Sequence, residues 1–199
     1  MLSLVGLGLH DEKDLSLRAV ETAKTADKVY IELYTGKWHG ALNNLSKIIG
    51  KKIFPLQRGD LEENSENILK EAKKSKVVIF VQGDPLVATT HSALLLAAKK
   101  QKIPTKVVHG SSIVSAVAET GLHIYKFGAT VTIPFPEKIK NQKPESVLQT
   151  IEENRKRGLH TLCLLDISKG RAMTVAEAAE LLLNWQFEDV PAVAFAAGN

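Results

Sequence analysis

Val77-Val78-Ile79-Phe80-Val81-Gln82-Gly83-Asp84-Pro85-Leu86-Val87-Ala88-Thr89-Thr90-His91 decides how this chain is read. The run from Val77 to Val81 is unbroken and apolar, as expected of a parallel strand buried on both faces. Gly83, Asp84 and Pro85 form a corner, and Ser92 to Lys100 reads as a helix. Open α/β sheets place ligands at the carboxyl ends of such strands. Gly83 allows a ligand to approach the backbone. Asp84 supplies a fixed carboxylate, and Pro85 stiffens the corner and biases Asp84 away from helix. Thr89 or Thr90 is the expected cap of the following helix. A tight turn without a ligand has the same local pattern, so the corner alone does not assign a function.

Strand and helix patterns alternate outward from this corner. Towards the N-terminus, Met1 to Val5 reads as a first strand opening onto Gly6-Leu7-Gly8-Leu9. Asp14 is the expected cap of a helix from Leu15 to about Ala26. Lys28 to Glu32 reads as a second strand, and Leu42, Leu45, Ile48 and Ile49 mark a short amphipathic helix. Lys52 to Phe54 is a brief strand, and Glu62 to Lys74 is helical. Beyond the corner, Thr105 to Val108 is a strand feeding His109-Gly110-Ser111-Ser112-Ile113 and a helix that stops near Gly121. These elements predict a parallel sheet with helices on both faces.

The second half differs in pattern. Gly128 to Ile133 reads as a strand ended by Pro134-Phe135-Pro136. Glu137 to Pro144 is loop-like, and Ser146 to Arg157 is a helix ended by Gly158. His160 to Asp166 reads as a buried strand, Thr174-Val175-Ala176-Glu177 as a capping box, and Ala192 to Ala196 as a last strand. A boundary near Gly110 gives an N-terminal α/β domain, 1–110, and a C-terminal α/β domain, 111–199.

Composition narrows the class. The chain has 199 residues, 44% hydrophobic and 24% charged, which suits a soluble globular protein. Its 26 basic and 22 acidic residues give a net charge of +4, too mild and too dispersed for a nucleic-acid footprint. Cys163, the single cysteine, cannot form an internal disulfide and reads as a small buried hydrophobe. With no signal-peptide pattern and no run long enough to span a membrane, the expected location is the cytoplasm.

Several strand ends carry groups capable of chemistry. Gly6-Leu7-Gly8-Leu9 begins like a dinucleotide fingerprint, but Asp11 stands at the third glycine position. Glu32, ending the second strand, can still imitate a ribose-binding acid, which keeps a nicotinamide cofactor as a rival. Ser111 and Ser112 offer hydroxyls and helix-start amides for a carboxylate or ribose, or simply a helix cap. His91 is a candidate proton acceptor or a structural residue. His123 reads as packing, His39 as exposed, and Tyr34 and Trp38 as surface aromatics available to a partner. Six dispersed histidines and one cysteine offer no metal-ligand spacing.

Five blocks occur in order: Gly6 to Leu9; Gly83 to His91; Ser112-Ile113 with Ser115-Ala116-Val117; Gly121-Leu122-His123-Ile124-Tyr125-Lys126-Phe127-Gly128; and Gly158-Leu159-His160-Thr161-Leu162. Together they resemble the diphthine synthases, within the tetrapyrrole-methylase-like class of S-adenosylmethionine-dependent methyltransferases. The resemblance implies two α/β domains with a ligand cleft between them, and a homodimer. It implies S-adenosylmethionine as donor, leaving S-adenosylhomocysteine. The implied acceptor is the amino group of a modified histidine, the diphthamide precursor, on translational elongation factor 2, which becomes diphthine. Donor-contacting positions fall on Leu9, Asp84, Val87, Ser112, Ile113, Leu165 and Ala197. The family pattern continues past Asn199 with further strands and a late histidine contact, which this sequence does not include.

Transfer from a sulfonium needs alignment and exclusion of water more than it needs a strong base. A free α-amine, with a pKa near ~8, is partly neutral at pH 7. The reading therefore gives Asp84 an orienting role and names no catalytic base and no metal. Two alternatives stand beside it. One is a methyltransferase of the same fold acting on a tetrapyrrole or an RNA; the other is an inactive donor-binding module.

Overall fold

A computed structural model describes residues 1–168, 170–187 and 190–196. By contact, the chain divides into two compact units, Met1–Ala116 and Val117–Ala196. Ser111 to Ala116 thus stay with the first unit.

The first unit is a parallel sheet of β1 (Leu2–Gly6), β2 (Lys28–Glu32), β3 (Ile53–Leu56), β4 (Val77–Val81) and β5 (Thr105–Val108), in the order β3-β2-β4-β1-β5. Alternation along the strands splits their side chains between two faces. Leu2, Leu4, Val77, Ile79 and Val81 form one core with α3 (Arg58–Glu62), α4 (Ser65–Lys74) and α5 (His91–Lys100). Val5, Val29, Ile31, Val78, Phe80 and Val108 form the other with α1 (Leu17–Lys24) and α2 (Leu42–Ile49). The α/β expectation holds. Each fully buried apolar side chain contributes roughly 1.5–3 kcal/mol, and within β1 and β4 Ser3 is the one polar side chain.

This strand order has a functional consequence. The chain leaves β1 towards β2 by way of α1, and leaves β4 towards β5 by way of α5, on opposite faces of the sheet. Neighbouring strands β1 and β4 therefore send their connections to opposite faces of the sheet, the arrangement at whose carboxyl edge open α/β sheets bind ligands.

Local elements depart from expectation for identifiable reasons. The α1 cap is Ser16, whose hydroxyl accepts from Ala19 N, and not Asp14, which is engaged elsewhere. The helix expected from Glu62 to Lys74 is α4, which starts at Ser65; upstream of it lies α3, which the sequence reading did not expect and after which Asn64 bonds back to Gly59 O. Pro55 is tolerated in β3 because that strand is at the sheet edge. Thr90 precedes α5 without capping it, and Thr89 donates its hydroxyl to Pro85 O.

The first unit closes on the short helix α6 (Ile113–Ala116). In the second unit, β6 (Val131–Ile133) pairs in parallel with β7 (Cys163–Leu165), and α7 (Glu145–Lys156) packs on β6. Both strands are shorter than expected because Asn154, buried on α7, takes over the backbone beside them. It accepts from Ala129 N and donates to Ala129 O and to Thr161 Oγ1. Asn154→Ala is expected to cost about 1–2 kcal/mol, from the loss of three partly buried hydrogen bonds, read as a lower urea midpoint. An unchanged midpoint would show that water replaces the side chain. A hairpin of β8 (Ile167–Ser168) and β9 (Arg171–Ala172) follows, and then α8 (Val175–Asn184), opened by the expected Thr174–Glu177 capping box. The expected strand from Ala192 to Ala196 does not form. Among the described residues, 190–196 pair with no strand and are mostly exposed, and an apolar run without a neighbouring ladder leaves its backbone to water. Cys163 is half-buried, and burial pushes its thiol up to about 11, as for an inert core thiol. Among the described residues, no helix is long and apolar enough to cross a membrane.

Candidate functional site

The carboxyl-terminal ends of β1, β4 and β5 converge at backbone distance. Gly8 and Gly83 exchange hydrogen bonds, Gly83 N to Gly8 O at 2.9 Å and Gly8 N to Gly83 O at 3.3 Å. A Cβ on Gly6 would stand 2.5 Å from Gly83 O and 2.6 Å from Gly110 N. Three loops, 6–9, 83–90 and 109–113, are thereby packed into one floor. Gly83 itself is required by its φ of 65° rather than by crowding, since the nearest atom to a Cβ there, Ser111 O, is 3.8 Å away.

The side chains expected to serve the site stand on this floor. Asp84 is buried, and its Oδ1 accepts from Leu86 N at 2.9 Å, which holds the corner in an Asx turn. Its Oδ2 lies 2.7 Å from His109 Nδ1. Ser112 is buried, and the backbone beside it is tied to Ser115 Oγ, so Ser115 supplies the local capping contact that Ser112 was a candidate for. Leu9, Val87 and Ile113 are half-buried around them. Ala88, next to Val87, is held at a φ of 54°, an unusual strain for a residue with a side chain. Leu165 ends β7 in the second unit, half-buried against that unit's core. Ala197 lies outside the described residues.

Asp14 places Leu9. Its Oδ2 accepts from Leu9 N at 3.0 Å and from His10 N at 2.6 Å, so one carboxylate folds the loop after β1. His10 in turn stacks on the exposed His39 at 4.8 Å between ring centres. His123 is exposed, not packed. Tyr34 and Trp38 turn inward rather than outward: both pack on the first unit's cores, and the Tyr34 hydroxyl and Trp38 Nε1 are buried.

Glu32 is unavailable to a ribose. It is fully buried, and its carboxyl accepts from Tyr34 N, Thr35 N and the Thr35 hydroxyl. That removes the acid on which the nicotinamide reading depended. Burial pushes the Glu32 carboxyl above its ordinary value and holds His91 below its own. Both shifts run against the charged forms, the reverse of what an ion pair across the 3.7 Å between His91 Nε2 and Glu32 Oε1 would produce.

This buried histidine gives the fold an acid limit. Folding lowers the His91 value, so the unfolded chain binds the proton first as pH falls. The associated stability is complete above the ordinary value of 6.5 and is lost below it, down through the folded value. Glu32 acts in the opposite sense, removing stability as pH rises from 4.5. The His91 ring nitrogens have no hydrogen-bond partner among the described residues, so His91→Leu sacrifices none. We expect this variant to flatten the fall in urea midpoint between about pH 7 and pH 5. An equally steep fall would place the acid sensitivity elsewhere.

A buried carboxylate, a buried serine and apolar walls on a rigid backbone floor at a sheet's carboxyl edge are a donor set suited to a polar nucleotide with an apolar portion. Comparison with known proteins makes this specific. The family described as Tetrapyrrole (Corrin/Porphyrin) Methylases matches residues 1–198. The chain is 45% identical over 188 residues to the diphthine synthase of Methanocaldococcus jannaschii, covering 92% of this chain and 72% of that protein. It is 42% identical over 199 residues to the diphthine synthase of Archaeoglobus fulgidus, covering 98% and 76%. The chain belongs to the diphthine synthase group of the tetrapyrrole methylases. A crystal structure of diphthine synthase superposes with a TM-score of 0.85 at 40% identity, over 92% of this chain and 71% of that one. Membership in this methylase group makes the chain a methyltransferase of diphthamide biosynthesis that uses S-adenosylmethionine.

Sequence reasoning gave His109 no role at this sheet edge and read Asp14 only as a helix cap. His109 had a usable signal: a histidine directly after a strand, at the same sheet edge as the Gly83-Asp84 corner. Asp14 had none, because an acid just before a helix reads as a cap until the loop that bonds to it is seen.

Proposed function

We propose that this chain transfers methyl groups from S-adenosylmethionine to the amino group of the modified histidine on translational elongation factor 2, giving diphthine. The likeness to diphthine synthases across nearly the whole chain carries this reading. The floor formed by Gly6, Gly83 and Gly110 beside Asp84 supports it. When bound, the donor supplies a methyl group on a positively charged sulfur, already activated for displacement.

The protein's part is placement. Asp84, fixed by Leu86 N, offers a carboxylate to the polar end of the donor. The Ser112 hydroxyl and the loop amides serve its remaining polar groups, and Leu9, Val87 and Ile113 wall its apolar surface. A floor of packed backbone cannot reorganise during the reaction, which favours an aligned approach of amine to methyl. The same reading makes the working form a cytoplasmic homodimer, checked by light scattering on the purified chain.

Radiolabelled S-adenosylmethionine incubated with elongation factor 2 carrying the unmethylated arm tests the assignment. Label is expected on the factor and lost when the arm is absent. Label on a corrin, porphyrin or RNA instead, or tighter calorimetric binding of NAD than of S-adenosylmethionine, would overturn it.

A further inference from the structure

We infer that His109 is the proton acceptor of the transfer reaction, and that Asp84 holds it ready for that task. The inference rests on the amine acceptor proposed above. His109 follows β5 directly, and its Nδ1 lies 2.7 Å from Asp84 Oδ2. The other Asp84 oxygen is taken by Leu86 N, so the carboxylate cannot swing to a different partner without breaking the corner. A carboxylate oxygen only accepts, so Nδ1 carries a proton and, in the neutral ring, Nε2 presents the lone pair. Among the described residues no hydrogen bond engages Nε2, and Asp84 is the one ion-pair partner of the ring. The two side chains differ sharply in exposure, 70% for His109 and 9% for Asp84. A buried acid thus fixes the tautomer and orientation of an imidazole whose far nitrogen is open, the arrangement by which an acid prepares a histidine base.

The chemistry requires such a group repeatedly. An acceptor that arrives as an ammonium must lose a proton before its nitrogen has a lone pair. In the transfer, a nitrogen–carbon bond forms while the carbon–sulfur bond breaks, and the electron pair stays on sulfur. The product is again an ammonium, which must lose a proton before any further methyl is added. His109 Nε2 takes that proton, Asp84 stabilises the imidazolium, and the exposed ring releases the proton to water. Asp84 therefore serves both the donor and the base.

His109→Asn separates a base from a mere support. Its side-chain amide can donate to Asp84 from the place of Nδ1 but offers no lone pair at the place of Nε2. The full chain is assayed with labelled S-adenosylmethionine and elongation factor 2 carrying the unmethylated arm, and donor affinity is measured by calorimetry. The variant is expected to bind the donor as the parent does and to transfer ~10²-fold more slowly at pH 7, or worse. The deficit should narrow towards about pH 9, where the amine is neutral without help. Transfer at the parental rate would overturn the inference, as would a loss accounted for wholly by weaker donor binding. Nitrogen NMR of the free chain gives a readout independent of turnover: a proton on His109 Nε2 rather than Nδ1 also overturns the base. A parent chain that binds the donor and leaves the arm unmethylated defeats the amine reading instead, and the NMR still decides the His109–Asp84 arrangement.

Discussion

Asp84→Ala is expected to weaken binding of S-adenosylmethionine and S-adenosylhomocysteine by about 10- to 100-fold, the equivalent of roughly 1.5–3 kcal/mol for a hydrogen bond to a charged group. The substitution acts in three places. It removes the carboxylate assigned to the donor, frees Leu86 N so that the corner loosens, and releases His109 from its partner. Asp84→Asn keeps the shape and can still accept from Leu86 N, so it isolates the charge. An intermediate affinity for Asn would divide the effect between loop order and electrostatics. Affinities equal to the parent's in both variants, measured by calorimetry, would show that the donor does not use this side chain.

The second large effect concerns a residue with no side chain. Gly6→Ala places a methyl 2.5 Å from Gly83 O and 2.6 Å from Gly110 N. Both neighbours are backbone, and both belong to loops of the same floor, so neither yields without displacing Asp84 or Ser112. Overpacking of this kind costs roughly 1–3 kcal/mol, a fall in melting temperature of roughly 3–10 °C for a unit of this size. Donor binding should be lost more completely than stability, because the floor can relax only by opening. Gly59→Ala is the control: the nearest atom to its Cβ is Glu63 Oε2 at 3.8 Å, and the residue lies on α3, where alanine is favoured. Equal melting temperatures for Gly6→Ala and the parent would mean that the three loops are less tightly joined than their distances indicate.

The functional reading and the acid sensitivity come from neighbouring parts of one sheet edge. Glu32 ends β2, beside β4 in the sheet, and His91 opens the helix that follows the Asp84 loop. Burying both titratable groups ties the loop's helix to pH. His109, in contrast, is kept at the surface, where a proton can leave. The fold thus contains two histidines near one loop with opposite solvent access, and only the exposed one is suited to turnover.

Local sequence determined most of the framework. The unbroken apolar run Val77 to Val81 and the nearly apolar Leu2 to Val5 call for strands buried on both faces, and the Gly83-Asp84-Pro85 corner calls for a turn at the carboxyl end of the first of these. The ordered blocks from Gly6 to Leu162 were sufficient to recognise the diphthine synthase group, because each is a local pattern. Contacts between distant segments were not legible in the same way. The carboxylate of Asp14 bonds to a loop that precedes it, Glu32 is enclosed by Tyr34 and Thr35, and Asn154 replaces strand pairing at Ala129. The pairing of His109 with Asp84, 25 positions apart, exists only because β5 and β4 flank β1 in the sheet. Strand order is set by which helices cover which face, a property of the packed core as a whole, and no window of sequence along the chain contains it.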